Sequence, residues 1–310
     1  MRIIFMGSPP FALPTLERLI ESEHEIVAVY TQPDRPSGRG RKLMPPPVKA
    51  LALAHGLDVR QPKSISQPET VEELRQLAPE LGVIAAYGQI LRQPVLDVPS
   101  LGILNVHASL LPRWRGAAPI PAAILAGEAA TGATIMRLRL ALDAGPILGA
   151  VRVAMLPSDT TATLTPKIAS AGASLLAELL PRWQRGEITP VEQDESQVTY
   201  APQIEKADAR IDWAVDRADV IERKVRAYNP WPMAFAYLDG QPLRILECRA
   251  LDTPPAVQPG VIFPLDAGFG IAAAERSGIS VITAQGPGGK PMPAAFYLRG
   301  HPQIIGKRLE

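Results

Sequence analysis

The chain has 310 residues, 46% hydrophobic and 20% charged, with a formal net charge of +1. A chain this long buries a core of its own and is expected to form two domains, and its near-neutral charge points to no polyanion partner except through local patches. The one cysteine, Cys248, excludes an internal disulfide framework and any multi-cysteine zinc or iron–sulfur site.

The opening "MRIIFMGSPP" runs directly into strand-like sequence without a signal-peptide layout. No segment reaches the roughly 18 apolar residues of a membrane span, so a cytoplasmic protein is expected. "RIIFMG" is a continuous apolar run closed by Gly7, followed by "FALPTLERLIES" with apolar residues at helical spacing. "EIVAVYT" reads as a second buried strand, "TVEELRQLAPE" as a helix, and "LGVIAAYGQIL" and "LGILNVH" each contain a strand. Apolar strands alternating with helices predict an α/β fold: a Rossmann-like, mostly parallel sheet with helices on both faces. Ligands in such sheets bind beyond the carboxyl ends of the strands, where Gly7, Gly88 and His107 all fall.

After residue 186 the pattern changes. "GEITPVEQDESQVTYAPQI" is polar, contains proline and has little periodicity, which suits a linker. The amphipathic "RADVIERKVRAYN" follows, ended by "PWP", where Trp231 is expected to be buried in a packing turn. Short alternating segments punctuated by Gly and Pro then predict a small β-rich domain. The expected division is residues 1–186, a linker over 187–205, and a second domain over 206–310.

The most informative stretch is "NVHASLLPRWRGAAPI", residues 105–120. On a strand, Asn105 and His107 lie two apart and share a face. An amide NH2 donates to an oxyanion and an imidazole moves protons near neutral pH, so the pair suits attack on a carbonyl carbon. Asp143, in the turn-rich "LDAGP", is a candidate to orient or charge-balance the imidazole. There is no H-E-x-x-H and no G-x-S-x-G, and Ser109 is too close in sequence to His107 for an ordinary triad. "GRGRKL" and "GFGIAA" do not join a strand to its helix, so dinucleotide binding has no support.

With these residues in view, the stretch resembles the N-x-H-x-S-L-L-P signature of the formyltransferases that use 10-formyltetrahydrofolate. The Arg-Trp-Arg-Gly-Ala-Ala-Pro-Ile continuation is similar to the branch that acts on methionyl-tRNA. "RIIFMGSPPFALPTLERL", "TQPDRPSGRGRKLMPPPVK", "AYGQIL", "ARIDW" and "RAYNPWPMAF" extend the resemblance over nearly the whole chain. The resemblance implies a catalytic trio of Asn105, His107 and Asp143. It implies folate contacts at Tyr87, Gly88, Gln89 and Ile90 and in the turn Ser109, Leu110, Leu111 and Pro112. It further implies 10-formyltetrahydrofolate as formyl donor, no metal, initiator methionyl-tRNA as acceptor, a monomer, and an OB-like β-barrel as the second domain that contacts tRNA. The chain departs from the family pattern at Pro10, Arg139, Ala141, Ala144 and Pro146.

Residues 33–50 carry Arg35, Arg39, Arg41, Lys42 and Lys49 against Asp34, with Gly38 and Gly40 between the arginines. Pro45, Pro46 and Pro47 are expected to block a helix afterwards. From charge alone this is a solvated surface loop; the resemblance implies that it meets the acceptor end of the tRNA. Two alternatives remain open from the residues: formylation of a small amine, such as an amino-sugar nucleotide or glycinamide ribonucleotide, and an RNA-binding protein with a disabled site.

Overall fold

The structure, a computed structural model, describes residues 1–37 and 42–310; Arg39 and Arg41 of the basic loop lie outside the described residues, as does the side chain of Lys42. The chain divides into two compact units. One comprises residues 1–119, 130–154 and 165–201, the other residues 120–129, 155–164 and 202–310.

The first unit is built on a seven-stranded sheet. Its strands are β1 (Arg2–Gly7), β2 (Glu25–Tyr30), β3 (Val59–Arg60), β4 (Leu81–Ala85), β5 (Ile103–His107), β6 (Ala130–Arg137) and β7 (Ile147–Ala154). They lie in the order β7-β6-β5-β4-β1-β2-β3. From β5 to β3 every neighbour is parallel, whereas β6 runs antiparallel to both β5 and β7. Ile3, Ile4, Phe5 and Met6 have no exposed surface, the result expected of an unbroken apolar strand covered on both faces. Helix α1 (Leu13–Ile20) buries Leu16 and Leu19 while Arg18 stays out.

Helix α2 (Pro47–Ala54) overturns one expectation: the three prolines do not block a helix, and Pro47 begins one. A proline in the first turn removes only an N–H that has no intrahelical partner, and its fixed φ suits the start. Helix α3 (Pro68–Gln76) begins the same way and buries Val71 and Leu74.

Helix α4 (Thr161–Gln184) carries Gly172 where a Cβ would come within 2.7 Å of Val106 Cγ1 and 2.9 Å of Ala133 Cβ. That close approach seats the helix on β5 and β6. Because side chains alternate across a strand, Val106 facing this helix turns Asn105 and His107 to the opposite face.

The second unit has an antiparallel sheet of β8 (Phe235–Leu238), β9 (Gln241–Leu251), β10 (Ile262–Leu265), β11 (Gly268–Ala272) and β12 (Gly278–Gln285), in the order β8-β9-β12-β11-β10. Asp239 and Gly240, at φ +50° and +73°, make the two-residue turn between β8 and β9 that an Asp-Gly pair favours. Helix α5 (Ala218–Ala227) packs Ile221 and Val225 into the same core as Ile245, Phe269 and Ile279.

The two outer strands are joined through residues 306–310. Gly306 N–H donates to Ile262 O at 2.8 Å and Leu309 N–H to Gly260 O at 2.9 Å, beside β10. Glu310 and Tyr237 exchange backbone bonds of 2.8 and 2.9 Å beside β8. The sheet is thereby curled into a small barrel with neither edge left open there. Trp231 departs from expectation: it is 53% exposed rather than buried.

Residues 187–201 form part of the first unit, and residues 202–205 begin the last stretch of the second. Val191 pairs with Ile147 through backbone bonds of 2.8 and 2.9 Å, and Tyr200–Ala201 pairs in parallel with Arg115–Gly116. A polar composition marks a segment rich in hydrogen-bonding groups, whether these are met by water or by protein.

Candidate active site

The carboxyl ends of β1, β4 and β5 lie level: Met6 pairs with Ile84, and Ile84 with Asn105. Beyond β1, Ser8 Oγ donates to Tyr87 O at 3.2 Å, which draws the residues next to Gly7 and Gly88 together. Gln32 Nε2 donates to the same carbonyl at 3.2 Å. The three strand ends anticipated from the sequence therefore share one edge.

On β5, the half-buried Asn105 makes no side-chain hydrogen bond among the described residues, so its amide is unspent. His107 is 6% exposed. Its Nε2 lies 2.9 Å from Trp114 O, and because a carbonyl only accepts, Nε2–H donates. In the neutral ring Nδ1 then carries the lone pair. It faces Asp143 Oδ2 at 3.7 Å, beyond hydrogen-bond reach, so the carboxylate attracts the ring only once Nδ1 takes up a proton. Asp143 is fixed from the other side, where Gly116 N–H donates to Oδ2 at 2.9 Å.

Each partner is held by local structure. Leu111 N–H donates to Thr134 Oγ1 at 3.1 Å, Thr134 Oγ1 donates to Ser109 O at 2.7 Å, and Ser109 Oγ donates to Arg113 O at 2.7 Å. These bonds set the turn that presents Trp114 O to the imidazole. Trp114 itself sits at φ +61° and Asp143 at φ +46°, both in the left-handed region. Gly145 permits the Asp143 turn, since a Cβ there would fall 1.7 Å from Arg137 O.

The other anticipated contacts are placed as follows. The Tyr87 ring is buried, its hydroxyl has no partner among the described residues, and burial pushes its ionisation upward. Gly88 takes φ +84° at the edge. The Gln89 side chain turns inward, accepting from Ile65 N–H at 2.6 Å and donating to Pro62 O at 3.1 Å, whereas Ile90 is 87% exposed. Leu111 is buried, and Leu110 and Pro112 are half-buried. Leu140 and Leu142, both largely exposed, flank the Asp143 turn as an apolar rim.

In the basic segment, Arg35 is exposed and donates to Gln32 Oε1 at 3.3 Å. Lys49 is committed elsewhere, with Nζ 2.9 and 2.8 Å from the two Asp34 oxygens and 2.8 Å from Gln61 Oε1.

Sequence reasoning missed Arg115 and Gln193. Arg115 is 2% exposed, donating to Gln193 Oε1 and Glu195, and Gln193 is 8% exposed. A buried arginine and a buried glutamine have no periodic signature that separates them from solvated ones.

A face with an unspent amide, an imidazole with a bare nitrogen and a carboxylate behind it can polarise a carbonyl oxygen and accept a proton from an amine. The family model described as "Formyl transferase" matches residues 1–180, and "Formyl transferase, C-terminal domain" matches residues 203–302. The chain belongs to the formyl transferase family. A formyl transferase of Methylococcus capsulatus, named methionyl-tRNA formyltransferase, is 51% identical over 100% of this chain and 99% of its own. One of Chloroflexus aggregans with the same name is 48% identical over 97% of each chain.

Among solved structures, an N-formyltransferase from Helicobacter canadensis, in complex with folinic acid and dTDP-3-aminofucose, matches with a TM-score of 0.68 at 16% identity, over 93% of this chain and 100% of its own. HypX from Aquifex aeolicus, in complex with tetrahydrofolic acid, matches with a TM-score of 0.64 at 20% identity over 96% of this chain. The chain spans about half the length of that HypX, 47% of it. At those identities the likeness is one of fold.

Proposed function

We propose that the chain transfers the formyl group of 10-formyltetrahydrofolate to the amino group of methionyl initiator tRNA. Support comes from the likeness over full length to proteins named for that reaction. The observation that carries the reading is the unspent Asn105 amide beside His107 and Asp143 at the sheet edge. An orphaned amide on a face with a bare imidazole nitrogen fits a substrate that brings a carbonyl oxygen and an amine.

In this mechanism the Asn105 NH2 donates to the formyl oxygen and strengthens that bond as the amine adds and negative charge grows on the oxygen. His107 Nδ1 takes the proton that the attacking nitrogen sheds, directly or through water, and Asp143 stabilises the imidazolium facing it. The proton then goes to the departing folate nitrogen as its bond to the formyl carbon breaks. The new N–C bond replaces the old one, and His107 returns to neutral with no covalent enzyme species. Exposed backbone at Gly88 and the apolar Leu140 and Leu142 offer a surface for the folate ring system. Arg35, with Arg39, Arg41 and Lys42, supplies charge for tRNA phosphates.

The same reading makes the protein a monomer of the cytoplasm; no helix among the described residues is long and apolar enough to cross a membrane. Single-turnover formylation of initiator methionyl-tRNA with wild type and His107→Ala tests the proposal. A wild type that formylates, with a variant slower by about 10² or more, supports it. A folded wild type that formylates small amines but not the tRNA overturns it.

A further inference from the structure

The segment Val191–Ala201 bonds to both loops that flank His107, the one through Trp114 and Arg115 and the one that carries Asp143. Thr199 Oγ1 accepts from Trp114 N–H at 2.9 Å and Thr199 O from Arg115 N–H at 2.9 Å, next to the carbonyl that receives His107. Glu192 forms a two-pronged ion pair with Arg139, at the start of the loop that carries Asp143. Between them sits the buried Gln193. Its Nε2 donates to Asp143 O at 2.8 Å and Gly145 O at 2.7 Å. Its Oε1 accepts from Arg115 Nε at 3.0 Å and Nη2 at 2.8 Å, and Arg115 is also paired with Glu195 at 2.7 Å.

Both N–H groups of this amide are spent on the left-handed turn at Asp143, and its oxygen on the residue between Trp114 and Gly116. Trp114 O accepts from Nε2–H of the imidazole and Gly116 N–H donates to the carboxylate. One side chain thus connects the loop bearing the carboxylate to the loop bearing the partners of both groups. The geometry points to Gln193 as a positioning residue: it sets Asp143 at its separation from His107, and acts on proton transfer through that separation. This inference rests on the reading of Asn105, His107 and Asp143 given above. No other protein side chain does this chemistry at that length, because two donors and an acceptor must come from one terminal group. A glutamate keeps the length and the Arg115 contact, yet cannot donate to either carbonyl.

The test is a double-mutant cycle of Gln193→Glu and Asp143→Asn in the full chain, read by single-turnover kinetics and steady-state constants. Gln193→Glu is expected to lower kcat at least roughly tenfold, as small misplacements in a site do, with KM for both substrates within about threefold. Amide exchange at Gly116 N–H, which donates to Asp143, should quicken in Gln193→Glu. In the Asp143→Asn background the Gln193→Glu effect should shrink to within about twofold, because both changes remove one relationship.

A Gln193→Glu enzyme with wild-type kcat and wild-type Gly116 exchange overturns the inference, as does an effect that multiplies fully with that of Asp143→Asn. If Asp143→Asn alone turns over like wild type, the reading of the site falls, and the inference with it. If Asp143→Asn is slow and Gln193→Glu is not, only the inference falls. Gln193→Met, which removes all four bonds, shows whether the segment matters for folding by its thermal midpoint, separately from the glutamate variant.

Discussion

Asp143 Oδ2 stands 3.7 Å from His107 Nδ1 and receives the Gly116 N–H at 2.9 Å. The carboxylate is thus anchored by the backbone rather than by the imidazole. The imidazole in turn is anchored through Nε2 to Trp114 O. The facing pair is held without a bond between its members, so Nδ1 is free to exchange a proton with substrate or water.

Asn105 supplies the donor for the oxygen that becomes charged. Asn105→Ala should lower kcat by about 10²–10³, the loss typical of one oxyanion donor. Its thermal midpoint should stay close to wild type, because the amide makes no hydrogen bond among the described residues. Kinetics and calorimetry on one preparation check both, and an unchanged kcat would remove Asn105 from the mechanism.

Gly145→Ala should be costly. The added methyl would lie 1.7 Å from Arg137 O, so the turn carrying Asp143 must move. A destabilisation of about 2–4 kcal/mol is expected from such a backbone clash, together with loss of turnover. Denaturant titration measures the first. A stable and fully active variant would contradict the placement of this turn.

Salt dependence separates the cations of residues 33–50. Three or four phosphate contacts give a log–log slope of about −2 to −4 for tRNA affinity against salt. Arg39→Ala should make that slope shallower by about one, whereas Lys49→Ala should leave it nearly unchanged because Lys49 is paired with Asp34. Affinities measured across a salt series decide this, and equal effects of the two variants would go against it.

The Asp34–Lys49 contact carries a pH signature. Hydrogen bonds from Lys49 and Gln61 hold the Asp34 carboxyl below its ordinary value of 3.8. A carboxyl depressed in the fold contributes stability above its unfolded value and loses that contribution as pH falls through the folded one. The difference in thermal midpoint between wild type and Asp34→Asn should therefore be full near neutrality and shrink below about pH 4. A difference independent of pH would mean that the pair does not stabilise the fold.

Much of the first unit was legible because its central strands are covered on both faces and read as unbroken apolar runs. Asn105 and His107 were legible through their two-residue spacing at the end of such a run. The reversal of β6 was not, since a buried strand reads the same in either direction. The long helix α4 carries Pro166 and Pro181 and a glycine at its contact with β5, features that interrupt a helical pattern in sequence. Gln193 was hidden in a polar stretch, and Arg115 stood within the signature over 105–120 with no role attached to it. Whether a polar group meets water or another polar group depends on the fold, and the segment over 187–205 looked like a linker for that reason. Trp231 stands out in solvent although two prolines enclose it, because a turn's stiffness does not determine its burial.

The small barrel is closed by residues 306–310, which bond to β10 on one side and β8 on the other. Tyr237 and Glu310, joined by two backbone bonds, are 73 positions apart in the chain. During synthesis at roughly 5–20 residues per second, β8 leaves the ribosome several seconds before the segment that covers it exists. Until residues 306–310 exist, first Tyr237 of β8 and then Ile262 of β10 lack these backbone partners, so the nascent second unit offers strand-edge groups that its own copies on a polysome can pair with.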